Sequence, residues 1–363
     1  MTNPYEDLFR TAVPTETAPV AAPDPETDPL DDLFKTRRTN FLLLAAYVLA
    51  LVIVNVAMYG IFLTRYDDPA AVTENIVAVD VTYQFSESDL YEGYPFAVSV
   101  AGRFENHNPF ALGSVYADFS FYDADGGLVG SSSYSADDVA EGDGLVVEDT
   151  LYFDAEVASI AYDYGFDMSS GFYLAVNAIH GFFLAVAFVY IDRDHLADRW
   201  RRFRKNWKNM VGHIVMGEAQ VYLVLILANF LMEQLGLSTG SQNEATIASM
   251  FKPDVVVLVT LFFTLCVFTP IVEETIFRKV LFGFFPKRLG PIVPILVSGI
   301  VFGLMHVVSN GDYLQSIPYV LMGFVFGWVY WSSGRNVYVT MGVHFLNNLI
   351  SYLIYVAMIY GTL

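Results

Sequence analysis

The sequence predicts a polytopic α-helical membrane protein of about seven spans that carries an extracytoplasmic antiparallel β-sandwich. Three observations lead there. Of 363 residues, 55% are hydrophobic, and they are gathered in long runs rather than spread along the chain. Between the first two runs the pattern changes to strand-like alternation. Basic residues cluster beside alternate ends of the runs, whereas the excess acid behind the net charge of -20 lies largely between them.

Residues 1–34 are rich in Pro, Thr, Ala and acid, with too few large apolar side chains to offset the entropy of ordering, which predicts a disordered cytosolic tail. Residues 35–65 supply the first span. Its apolar stretch follows Lys35, Arg37 and Arg38, which places the N-terminus in the cytosol by the positive-inside rule. Residues 66–170 hold about twenty carboxylates against one base, Arg103, with turn signals at Asp125-Gly126-Gly127 and Glu141-Gly142-Asp143-Gly144. They form the expected sandwich. Its segment Gly102-Arg103-Phe104-Glu105-Asn106-His107-Asn108, followed by Phe119-Ser120-Phe121-Tyr122-Asp123-Ala124-Asp125-Gly126, resembles the FxLYD family of extracytoplasmic immunoglobulin-like sandwiches.

A second span covers 171–191 and leads into a basic linker, 192–210, with Arg193, Arg199, Arg201, Arg202, Arg204, Lys205 and Lys208. That cluster belongs in the cytosol and leaves the sandwich outside. The remaining stretch, 211–363, contains further apolar runs at 211–232, 255–285, 291–308, 317–331 and 337–359. Its acidic loop 236–254 falls outside, and Lys279, Lys287, Arg288 and Arg335 fall inside. The expected setting is a multi-pass protein of the plasma membrane, in contact with lipid. So acidic a chain is no partner for nucleic acid, and with a single cysteine, Cys266, it has no disulfide framework.

Ionisable residues inside the last runs are the chief functional signal, since a charge at such depth costs on the order of 3 kcal/mol or more unless partnered. Three patterns stand out: Glu273-Glu274 with Arg278, Phe302 with His306, and His344 with Asn348. Residues four apart share a helix face, so Glu274 and Arg278 can pair and leave Glu273 free. Counting from the cytosolic ends puts Glu273, His306, His344 and Asn348 at roughly 14 to 23 Å depth, near the middle of a hydrocarbon core about 30 Å thick. One carboxylate, two imidazoles and a carboxamide at one level have the parts to hydrolyse an amide with water. Glu273 is the candidate general base, His306 would hold and polarise the water, and His344 and Asn348 would donate to the oxyanion. A second version uses zinc, held by Glu273, His306 and His344. Sequence leaves both open.

Those three patterns, in that order on successive helices, resemble the CAAX protease and bacteriocin-processing (CPBP, or Abi) family of intramembrane, metalloprotease-like enzymes. The resemblance implies a helical bundle with a cytosol-facing conical cavity, an active site at Glu273, His306, His344 and Asn348, and a peptide or protein substrate. The sandwich would then engage a partner in the envelope. Two rival readings remain: a non-catalytic immunity or scaffold protein in which the same residues form an interhelical clasp, and a transporter that uses an intramembrane carboxylate.

Overall fold

The computed structural model describes residues 29–361 other than 89, 91–92, 235–240, 287–288, 309–310 and 312, with side chains from residue 36 onward except that of 242. Helix α1 (Pro29–Arg65) runs unbroken through the first apolar stretch. The expected tail is thereby shortened: residues 29–34 are helical, and residues 1–28 lie outside the described residues.

Among the described residues, five helices are long and apolar enough to cross a membrane: Thr36–Arg65 within α1, α3 (Ser170–Ile191), α5 (Trp207–Gln234), α7 (Val255–Phe284) and α10 (Val337–Ile359). Of the other apolar runs, α8 (Ile292–Met305) and α9 (Ser316–Ser332) form helices of 14 and 17 residues. They rise about 21 and 26 Å, short of a core about 30 Å thick. They compensate by packing on each other as an antiparallel hairpin. A Cβ on Gly323 would lie 2.7 Å from the Gly299 Cα, so the two backbones touch.

Between α1 and α3 a short helix, α2 (Pro69–Glu74), leads into six strands: β1 (Ile76–Glu87), β2 (Phe96–Asn106), β3 (Leu112–Tyr122), β4 (Leu128–Val139), β5 (Gly144–Phe153) and β6 (Ser159–Asp167). They form two antiparallel three-stranded sheets, β1-β2-β5 and β4-β3-β6. Alternation along β2 and β3 sends Val98, Val100, Phe104, Phe119 and Phe121 into a shared core, where all are essentially buried. Asn106 and Asn108 are buried polar pins here rather than ligands. Asn106 donates to the carbonyls of Phe110 and Val139, and Asn108 donates to that of Val72 in α2. Asp123 accepts from the backbone N–H groups of Asp125 and Gly127, which is ordinary turn chemistry.

The sandwich is fastened to the bundle at the end where β3 begins and β4 finishes. Tyr66, one residue past α1, is buried in the sandwich core, and its hydroxyl accepts the Gly113 N–H at 3.0 Å. Only glycine fits at 113, since a Cβ would come within 2.8 Å of the Asp167 carbonyl and the Ser169 nitrogen. Lys252, after α6 (Gln242–Ser249), pairs with Asp137 of β4 at 2.7 Å. The opposite end of the bundle holds α4 (Arg193–Lys205), which occupies much of the stretch expected as a linker. Arg199 of α4 donates to the Gly334 carbonyl at 3.1 Å, and its own carbonyl accepts from Asn336, so α4 seals the turn between α9 and α10. Lys279 is a buried partner of Asp192 here, not a free charge.

Candidate active site

Helix α7 is irregular around its glutamates. Turns at Phe262–Phe268 and Thr275–Val280 are π-helical, so their N–H groups reach five residues back and carbonyls lose their ordinary α partners. Pro270 accentuates this by offering no N–H to the Leu265 carbonyl five residues earlier, while the Thr269 N–H goes to Thr264. Side chains fill the gaps. Asn348 Nδ2 on α10 donates to the Leu265 carbonyl and Ser298 Oγ on α8 to that of Phe277, each at 2.7 Å, while Thr275 Oγ1 adds a second donor to the Ile271 carbonyl. An irregular backbone at membrane depth requires such donors.

Glu274 and Arg278 are wholly buried, with Glu274 Oε2 3.2 Å from Arg278 Nε. The guanidinium lies between the rings of Phe302 and Phe326, 4.7 and 5.1 Å from their centroids, so cation–π attraction offsets part of its desolvation. Phe302 therefore walls this ion pair and is not placed to react. The aromatic stretch 324–331 is split: Phe326 and Tyr330 are buried, whereas Trp328 and Trp331 face outward.

Glu274 also fixes His344, whose Nδ1 lies 3.0 Å from Glu274 Oε1. An ionised carboxylate only accepts, so His344 Nδ1 carries a proton, and when the ring is neutral its Nε2 presents a lone pair. That Nε2 lies 3.9 Å from Glu273 Oε2, a buried oxygen with no hydrogen-bond partner among the described residues. His306 has the same tautomer, since its Nδ1 donates to the Phe302 carbonyl at 2.8 Å. Its ring stacks on Tyr319, with centroids 4.6 Å apart. His306 sits one residue beyond the end of α8, where the helix stops, and not inside a longer span.

Glu273, His306, His344 and Asn348 all line one cavity of about 450 Å³, together with Tyr319 and Tyr222. At Nε2 a neutral His344 would accept and an imidazolium would donate, and Asn348 has one amide proton committed to the Leu265 carbonyl. Sequence reading missed Ser298, Thr275 and Tyr319, which carry no ionisable signal. Glu218, on α5, is buried with neither carboxylate oxygen hydrogen-bonded among the described residues and does not line the cavity. For zinc, the two Nε2 lone pairs and Glu273 are suitable donors by chemistry. They do not, however, converge into a three-residue ligand group, and no such group occurs among the described residues.

The cavity also has a direction. It extends past Tyr319 and Asn348 to Ser241, Asn243 and Glu244 around the start of α6, at the sandwich end. Towards the α4 end it is closed by Glu274, Arg278, Phe302 and Phe326, none of which has any exposed surface. The sandwich and the far reach of the cavity lie at the same end of the bundle.

A bundle of long apolar helices with buried carboxylates and imidazoles, joined to a β-sandwich, defines this chain as an integral membrane protein. Residues 255–350 match the family described as type II CAAX prenyl endopeptidase Rce1-like. The chain is 28% identical over 184 residues to an uncharacterised protein of Mycoplasma capricolum subsp. capricolum, covering 49% of this chain and 54% of that one. It is 32% identical over 79 residues to a Bacillus subtilis protein named "Putative membrane peptidase YdiL", covering 22% of this chain and 30% of that one. The matched part thus spans about half of one relative and under a third of the other. No solved structure matches the chain.

Proposed function

We propose that the chain is an intramembrane endopeptidase in which Glu273 activates water against a peptide carbonyl. The observation that carries this reading is the division of labour between adjacent glutamates. Glu274 is consumed by Arg278 and His344, while Glu273 Oε2 faces His344 Nε2 across a gap of 3.9 Å, with no partner of its own among the described residues. A water there donates one proton to Glu273 and the other to an imidazole Nε2, which aligns an oxygen lone pair on the carbonyl carbon. Glu273 then passes its proton to the leaving amine. The free amide proton of Asn348 is the oxyanion donor that remains. The peptide or protein substrate reaches this water from the surrounding lipid or along the cavity. The sandwich, by its FxLYD-like pattern, engages an envelope component.

Glu273→Gln tests the reading against its rival, an inert clasp. The substitution should lower cleavage by about 100-fold or more, as expected for loss of a general base. The amount of folded protein in membranes should stay unchanged. Glu274→Gln and Arg278→Ala should instead reduce folded protein, because each leaves a buried charge unpaired at a cost of about 3–5 kcal/mol. Substrates come from comparing peptide termini in wild-type and Glu273→Gln membranes. A Glu273→Gln protein that only folds less well, with no lost cleavage products, makes the clasp the correct account.

A further inference from the structure

The geometry points to an active-site cavity that opens away from the cytosol, so that its substrate is a peptide segment displayed on the extracytoplasmic face. This rests on the proposed peptidase reading for the word substrate, but the direction of the cavity stands on its own observations. The first is position along the helices. Pro318, Tyr319 and Met322 lie in the first half of α9, which starts at the sandwich end, and Asn348, Ser351 and Tyr355 in the second half of α10, which finishes there. On α5, Leu225 and Asn229 obey the same rule.

A second observation is the seal. On the α4 side of Glu273 the buried Glu274–Arg278 pair is backed by Val280, Val329 and Val339, which are at most 2% exposed. A peptide from that side would have to displace both the ion pair and its apolar backing.

Third, charge assigns the two ends. The α4 end carries Arg193, Arg201, Arg202, Arg204, Lys205 and Lys208, whereas at the sandwich end Arg103 is paired with Glu105 and Asp143, and Lys252 with Asp137. Such asymmetry fixes the α4 end in the cytosol and the cavity mouth outside it. Suitable substrates are exported peptides, or the outer flanks of other membrane proteins, whose backbone can slide down beside Tyr319 and Asn348 to Glu273.

The test uses the full chain in intact cells, with the lone Cys266 changed to Ala and single cysteines placed at Ser351 in the cavity, Ala245 near the mouth and Arg204 on α4. A small cationic, membrane-impermeant thiol reagent is the probe. Ser351→Cys and Ala245→Cys should be modified in intact cells, and Arg204→Cys only after permeabilisation. Modification of Ser351→Cys only after permeabilisation, together with Arg204→Cys, overturns the inference. Labelling needs no turnover, so the experiment is repeated with Glu273→Gln added. An outside-labelled but inactive protein then separates failure of the peptidase reading from failure of this one.

Discussion

Asn348 Nδ2 donates to the Leu265 carbonyl at 2.7 Å, and that bond ties α10 to the widest part of α7. Its origin is Pro270, which removes the N–H that a π turn would have supplied. Asn348→Ala should therefore destabilise by about 1–3 kcal/mol, the cost of leaving a buried carbonyl unpaired. In a Pro270→Ala background, where an N–H returns, the same substitution should cost clearly less. Thermal unfolding of all four proteins in detergent measures the coupling, and strict additivity would refute the explanation.

Close contact between α8 and α9 sets where His306 stands. Gly323→Ala forces its methyl against the Gly299 backbone, so the hairpin must part, at about 1–3 kcal/mol. His306 and Tyr319 lie on the two separated helices, and their stacking should loosen, which would raise KM and lower kcat together. Gly212→Ala, on α5 with nothing within 4 Å of the new methyl, is the control. It should be neutral or slightly stabilising.

Acid should loosen the junction between sandwich and bundle. Burial pushes the Asp137 carboxyl up, but hydrogen bonds from Lys252 and Ser170 outweigh it and hold the carboxyl below its ordinary value of 3.8. A folded value below the unfolded one means that this contact is fully stabilising above the ordinary value and fades as pH falls through the lowered one. Lys252→Met should remove much of this pH dependence of Tm by lowering stability above the ordinary value, by about 1 kcal/mol or less because Lys252 is half exposed, while stability in acid stays unchanged.

Much of the site was legible because lipid makes ionisable residues costly, so Glu273, Glu274, Arg278, His306 and His344 announce themselves inside apolar runs. The pairing of Glu274 with Arg278 follows from four-residue spacing alone. What stayed hidden has physical reasons. A π turn is one surplus residue accommodated by packing, and nothing in the stretch 262–280 except Pro270 marks it. Ser298 and Thr275 look like ordinary polar residues until the carbonyls they serve are known. The premature end of α8 at Met305 was concealed by the apolar Val307 and Val308 beyond it. Direction was illegible for a different reason: a group near mid-membrane is equally far from both faces, so depth says nothing about which face the cavity reaches.

Tyr66 and Gly113 have a mechanical consequence. Two residues, Asp67 and Asp68, separate Tyr66 from α2, and Met168 and Ser169 alone separate β6 from α3. A module mounted so tightly is a handle rather than a tethered float. Force applied to the sandwich is transmitted as tilt of α1 and α3, and α3 in turn bears on α7 where Gly181 meets Phe268. Whatever grips the sandwich thus tugs on the rod that carries the two carboxylates.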